Sequence, residues 1–160
     1  MNYVVDSYEN YKEENRLTTN NARRIEFVTT TRVLDEIIGT KSKILDCAAG
    51  TGIYAFWFAD KGHDVTATDI TPRHIDIINR TLTNKNYHMN TSVLDATDMS
   101  CFADDSFDYC SQYGTILSFD YRRAERKMHE GMSKSVKERR AFGYCVHSKI
   151  LCFSIYCYEQ

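Results

Sequence analysis

The 26 residues from Ile44 to Asp69, ILDCAAGTGIYAFWFADKGHDVTATD, decide the fold. An apolar run (Ile44, Leu45) ends in Asp46, a turn of small residues follows through Ala48, Ala49, Gly50, Thr51 and Gly52, and an apolar-rich helical pattern runs from Ile53 to Lys61. Gly62 stands just past that helix, where a left-handed closing residue without a side chain is tolerated. A second strand then carries Val65, Thr66, Ala67 and Thr68 into Asp69. Strand, helix and strand within roughly 30 residues form a βαβ unit, so the two strands should be parallel neighbours.

Small residues at the first turn allow a ligand to approach the backbone and the helix N-terminus, and a carboxylate at the tip of the next strand can bond a ribose diol. These features point to an adenosine-containing cofactor. Ala55 loosely satisfies the third small position of a dinucleotide fingerprint. Asp46 argues the other way, because a buried carboxylate ahead of the turn would repel a pyrophosphate and attract a cationic amino-acid end.

Asp46, Ala48, Gly50 and Gly52 together resemble the first motif of the class I S-adenosylmethionine-dependent methyltransferases, with Ala48 where that family usually has Gly. The resemblance extends, weakening, from about Tyr3 to Leu117. It implies an α/β, Rossmann-like methyltransferase fold, a mainly parallel sheet flanked by helices. It also makes Asp69 the acidic ribose ligand, places Ile70 over one face of the adenine, and pairs Asp95 and the Ala96 N–H with the adenine amine and ring nitrogen. DSFDYCSQYG (104–114 with Asp104) resembles the family's fourth strand, whose tip at Gln112, Tyr113 and Gly114 would face the transferred methyl. Metal ligands are not expected, and methyl transfer demands no universal catalytic residue. Tyr8, Tyr11 and Tyr113 are candidates for an acceptor base.

The rest of the chain fits around this core. Tyr8 and Tyr11 share a helical face in the polar segment 1–16, either a solvated end or a lid. A helix from Asn20 or Asn21 to Ile38 presents Phe27, Leu34, Ile37 and Ile38 to the sheet and stops at Gly39; Arg23 and Arg24 near its start are read as exposed. Thr71 and Pro72 open a further helix with Ile75, Ile78 and Leu82 on its buried stripe. Met89, Thr91 and Val93 alternate as a third strand. Asp95, just beyond it, also has the simpler reading of a loop cap. Tyr121, Ala124, Met128, Met132 and Val136 recur at helical spacing, and Phe142, Tyr144 and Val146 alternate as a fifth strand before a β-like run from Lys149 to Tyr158.

Length and composition bound the function. One domain is expected over 1–160, with N-terminal helices or lid (1–40), a cofactor core (41–120) and a divergent C-terminal part (121–160) that lacks the last strands of the full seven-stranded sheet. No apolar run spans a bilayer and the N-terminus is polar, so a cytoplasmic protein without membrane contact is expected. Six cysteines show neither Cys-x-x-Cys pairing nor zinc-like spacing. Net charge is −2 overall, from −7 in residues 1–120 and +5 in 121–160. The only proline is Pro72, so the Pro-containing motifs of adenine-amino, glutamine-amino and cytosine-carbon methylating enzymes are absent, and no aromatic-basic patch suggests nucleic acid. The expected activity is methyl transfer from S-adenosylmethionine to a small-molecule acceptor, by a shortened enzyme whose sheet edge is either covered by a second copy, as a homodimer, or left open to aggregation. The alternatives are a truncated protein that binds S-adenosylmethionine without turnover, and a nicotinamide-dependent oxidoreductase, which Asp46 disfavours.

Overall fold

The structure is a computed structural model and describes residues 21–113, 127, 130, 131, 134, 135, 140–146 and 151–157. Its elements are α1 (Asn21–Ile37), β1 (Lys43–Cys47), α2 (Ile53–Asp60), β2 (Asp64–Asp69), α3 (Pro72–Leu82), β3 (Met89–Val93), β4 (Tyr109–Tyr113), β5 (Arg140–Val146) and β6 (Leu151–Cys157). The segment bearing Tyr8 and Tyr11 and the stripe from Tyr121 to Val136 lie outside the described residues, although Lys127, Glu130, Gly131, Lys134 and Ser135 have helical backbone.

Six strands form one sheet in the order β3-β2-β1-β4-β6-β5. The βαβ reading holds: β1 pairs in parallel with β2, placing Asp46 beside Ala67 and Cys47 beside Thr68. Strand β1 also pairs in parallel with β4, which sets Asp46 opposite Ser111, and β2 pairs in parallel with β3. Both C-terminal strands fall where the alternation and the β-like run place them, but they form an antiparallel hairpin, and β6 lies antiparallel to β4. The later strand therefore occupies the slot beside the parallel core, and the earlier one ends the order of the described strands.

Alternation along β1 assigns the two faces. Ile44, with Val65, Ala67 and Tyr109, packs beneath Leu34 of α1, Tyr54, Ala55 and Phe58 of α2, and Ile75 and Ile78 of α3. Leu45 and Cys47 face the other way, onto Cys110, Phe107 and Met99, with Ala96 and Phe102 at the margin. Asp46 follows the Ile44 face and Asp69 the Ala67 face, so both carboxylates emerge on the side covered by α1, α2 and α3. Tyr109 ties this face to the end of α1, its hydroxyl donating to Ile37 O at 3.2 Å and accepting from the Gly39 N–H at 3.3 Å. Among the described residues no helix is long and apolar enough to cross a membrane.

Candidate functional site

The turn between β1 and α2 has an unusual backbone. Ala48, Gly50 and Gly52 all have positive φ, 54°, 56° and 86° respectively. This conformation disfavours a Cβ, so the two glycines meet a backbone requirement and Ala48 carries strain. At Gly52 space is restricted as well: a Cβ there would lie 2.9 Å from Cγ1 of Ile78. The turn is fixed at both ends, with Ala49 N–H donating to Thr68 O and Gly52 N–H to Ala49 O, each at 2.9 Å.

Beneath the turn lies Asp46, whose side chain is almost completely enclosed at 1% exposure. Its Oδ1 accepts a long bond from Ser111 Oγ at 3.3 Å, while Oδ2 is buried with no hydrogen-bond partner among the described residues. Burial pushes the carboxyl up to about 8, and the Asp69 charge adds to the rise; Ser111 and, more weakly, the Ala55 amide act against it. A buried carboxyl with one oxygen unsatisfied is costly, and a cationic group placed beside it would favour its ionised form.

Asp69, at the tip of β2, is the hub of the arrangement. Its Oδ2 accepts from the Gly50 N–H at 2.8 Å. Its Oδ1 accepts from the Thr71 N–H at 2.8 Å and lies 3.1 Å from Nδ1 of His74, a side chain only 2% exposed. The carboxylate thereby joins the glycine turn to the start of α3. Thr71 takes the N-cap position expected of it, but its own hydroxyl makes no capping bond. It is completely buried, and Asp69 engages its backbone instead.

The remaining candidates surround this pair. Ile70 is half-buried in the bend after Asp69. Asp95 comes two residues after Val93, which registers with Asp69, and so stands one strand farther out at the same end of the sheet. It is exposed, and its Oδ1 accepts from both the N–H (2.9 Å) and the hydroxyl (2.8 Å) of Thr97, the geometry of a loop cap. Ala96 is half-buried and packs against the Leu45 cluster. Gln112 is buried at the end of β4, on the opposite sheet face from Asp46. Arg24 is exposed, as expected, and no group of three or more His, Cys, Asp or Glu able to hold a metal occurs among the described residues.

Sequence reasoning missed Ser111 and His74. Ser111 becomes visible only once β4 is placed beside β1, while His74 could have been flagged by its position one helical turn after an N-cap that itself follows Asp69.

These features can be set against known proteins. A profile of the methyltransferase domain matches residues 44–138. No curated protein sequence matches the chain. Among solved structures, the PH0226 protein from Pyrococcus horikoshii is similar with a TM-score of 0.65 and 22% identity, over 82% of this chain and 61% of that one. A TehB-like SAM-dependent methyltransferase from Corynebacterium glutamicum gives 0.64 and 17%, over 96% and 99%. A phosphoethanolamine N-methyltransferase from Haemonchus contortus, in complex with S-adenosylhomocysteine, gives 0.59 and 18%, over 77% and 30%. This chain thus spans about 61% of the Pyrococcus protein's length and a smaller share of the Haemonchus enzyme. With the profile covering more than half of the residues and the parallel core and glycine turn in place, the chain belongs to the class I S-adenosylmethionine-dependent methyltransferase family.

Proposed function

We propose that this protein transfers a methyl group from S-adenosylmethionine to a small-molecule acceptor. The observation that carries the reading is the unsatisfied, buried Oδ2 of Asp46 beneath a turn of three positive-φ residues. Asp46 would meet the cationic amino end of the cofactor, and the backbone of Ala48, Gly50 and Gly52 would border its middle. Asp69 would take the ribose, with Ile70, Asp95 and Ala96 around the adenine and Gln112 near the methyl end. A pyrophosphate in the same place would bring no cation to Asp46 and would oppose its ionisation, which disfavours a dinucleotide.

When bound, the cofactor supplies an activated methyl on a sulfonium. The protein's part is to align donor and acceptor and exclude water, an effect worth roughly 7–11 kcal/mol at its upper range. Isothermal calorimetry with S-adenosylhomocysteine and with NAD tests the cofactor: binding of the first and not the second is expected, and the reverse would overturn the assignment. A methyl-donor turnover assay against a pool of metabolites then separates an enzyme from a protein that binds S-adenosylmethionine without turning it over.

A further inference from the structure

Asp69 is more heavily engaged than a carboxylate waiting for a sugar diol. A carboxylate offers about four lone-pair sites. Three are filled here: Gly50 N–H on Oδ2, and Thr71 N–H together with His74 Nδ1 on Oδ1. Because Oδ1 of an ionised carboxylate can only accept, the His74 tautomer that satisfies this contact carries its hydrogen on Nδ1. The two donors on Oδ1 come from the start of α3, and the Asp69 and His74 side chains are almost fully buried, which fixes the orientation of the carboxylate. What is left for an incoming ligand is one acceptor site on Oδ2.

We propose that His74 is a positioning residue of the cofactor site: together with the Thr71 N–H it occupies Oδ1 of Asp69, so that the carboxylate grips one hydroxyl of the ribose diol through Oδ2 rather than both. This rests on the S-adenosylmethionine reading above. It goes beyond that reading by assigning a role to a residue outside the glycine turn and by making the ribose contact one-sided.

The experiment is calorimetry on the whole chain with three probes: S-adenosylhomocysteine and its 2′-deoxy and 3′-deoxy ribose analogues. Wild type should lose about tenfold in affinity for one deoxy analogue, as expected for a lost hydrogen bond to a charged group, and little for the other. His74→Leu removes one of the two donors on Oδ1 and frees a lone pair there for the second hydroxyl, so the difference between the two analogues should collapse. His74→Asn, whose amide can place an N–H near the position of Nδ1, should restore most of the discrimination. Thermal melting of each variant checks folding, and a merely structural role for His74 would weaken all three probes alike and leave the analogue ratio unchanged. Equal losses for both analogues in wild type, or an unaltered ratio in a folded His74→Leu, would overturn the proposal. Failure of wild type to bind S-adenosylhomocysteine would instead strike the cofactor reading, and this proposal with it.

Discussion

The Gly50 N–H donates to Asp69 Oδ2 at 2.8 Å, so the tip of β2 sets the shape of the turn that follows β1. This bond reaches across 19 residues and couples two parts of the site before any ligand arrives. The shape of the turn is therefore a property of the βαβ unit as a whole, and a change at Asp69 should be felt at Gly50.

Asp69→Asn tests the coupling. The amide keeps the size of the carboxylate but must turn its NH2 toward either the Gly50 N–H or the donors on the Oδ1 side. Leaving such a buried group mismatched costs about 1–3 kcal/mol. Urea unfolding should show that loss together with weaker S-adenosylhomocysteine binding, and unchanged stability would mean the turn does not depend on Asp69.

Asp46 should make both stability and binding depend on pH. Its carboxyl is raised from 3.8 to about 8, so the folded state holds a proton there that the unfolded chain has released. The contribution to stability is thus complete below pH 3.8 and is lost as pH rises to and through 8, with a slope of at most about 1.4 kcal/mol per pH unit. Asp46→Asn should flatten that decline and make the ligand-free protein more stable than wild type at pH 9, while abolishing S-adenosylhomocysteine binding. In wild type, a cationic amino group favours the ionised carboxylate, so binding near pH 7 should release a proton. Calorimetry in buffers of different ionisation enthalpy measures that release.

Ala48 is a place where the protein can be improved. With φ at 54° its side chain sits in a conformation that costs an L-residue about 1–2 kcal/mol, against about 0.5–1 kcal/mol for the greater unfolded freedom of glycine. Ala48→Gly should therefore stabilise by up to about 1.5 kcal/mol, the difference of those terms, as read from chemical denaturation.

Gly52→Ala should do the opposite. A positive φ and a contact 2.9 Å from Ile78 Cγ1 together predict a loss of about 2–4 kcal/mol. Ile78→Ala opens space below the turn, so its own destabilisation should be smaller when Gly52 is already Ala. A double-mutant cycle should show that coupling, at about 1 kcal/mol, and strict additivity would exclude the clash.

His63 should govern part of the acid limb. Its Nδ1 accepts from the Ser42 N–H at 3.2 Å, and burial lowers its pKa below 6.5 even though Asp35 acts to raise it. The stability it contributes is present above pH 6.5 and is lost as pH falls through the depressed value. His63→Asn, which keeps an acceptor but does not titrate, should show a shallower decline below pH 6.5 in pH-dependent melting.

How much of this was legible beforehand differs from one residue to the next. The apolar run at Ile44 and Leu45, the small-residue turn and the alternation before Asp69 are local signals, so β1, α2 and β2 could be placed by pattern, as could Pro72 at the start of α3. The positions of Asp46 and Asp69 were likewise legible, since Asp46 is the penultimate residue of β1 and Asp69 the last of β2. Asp95 carried two readings because its sequence, Asp-Ala-Thr, also suits a turn that closes on itself, and that turn is formed. Ser111 depends on which strand lies beside β1, and the His74 contact depends on how α3 enters, both matters of long-range arrangement. The same holds for the hairpin: alternation marks β5 and β6 as strands but says nothing about which of them meets β4.

The placement of β6 between β4 and β5 has a consequence for the order of assembly. During translation β5 leaves the ribosome first, yet β6, its neighbour among the described strands, has not been made. Until Leu151–Cys157 emerges, the main-chain groups along Tyr109–Tyr113 on that side are open to intruders. A nascent chain halted between the two strands would thus carry a finished glycine turn beside an unsealed flank, and would be the species most in need of a chaperone.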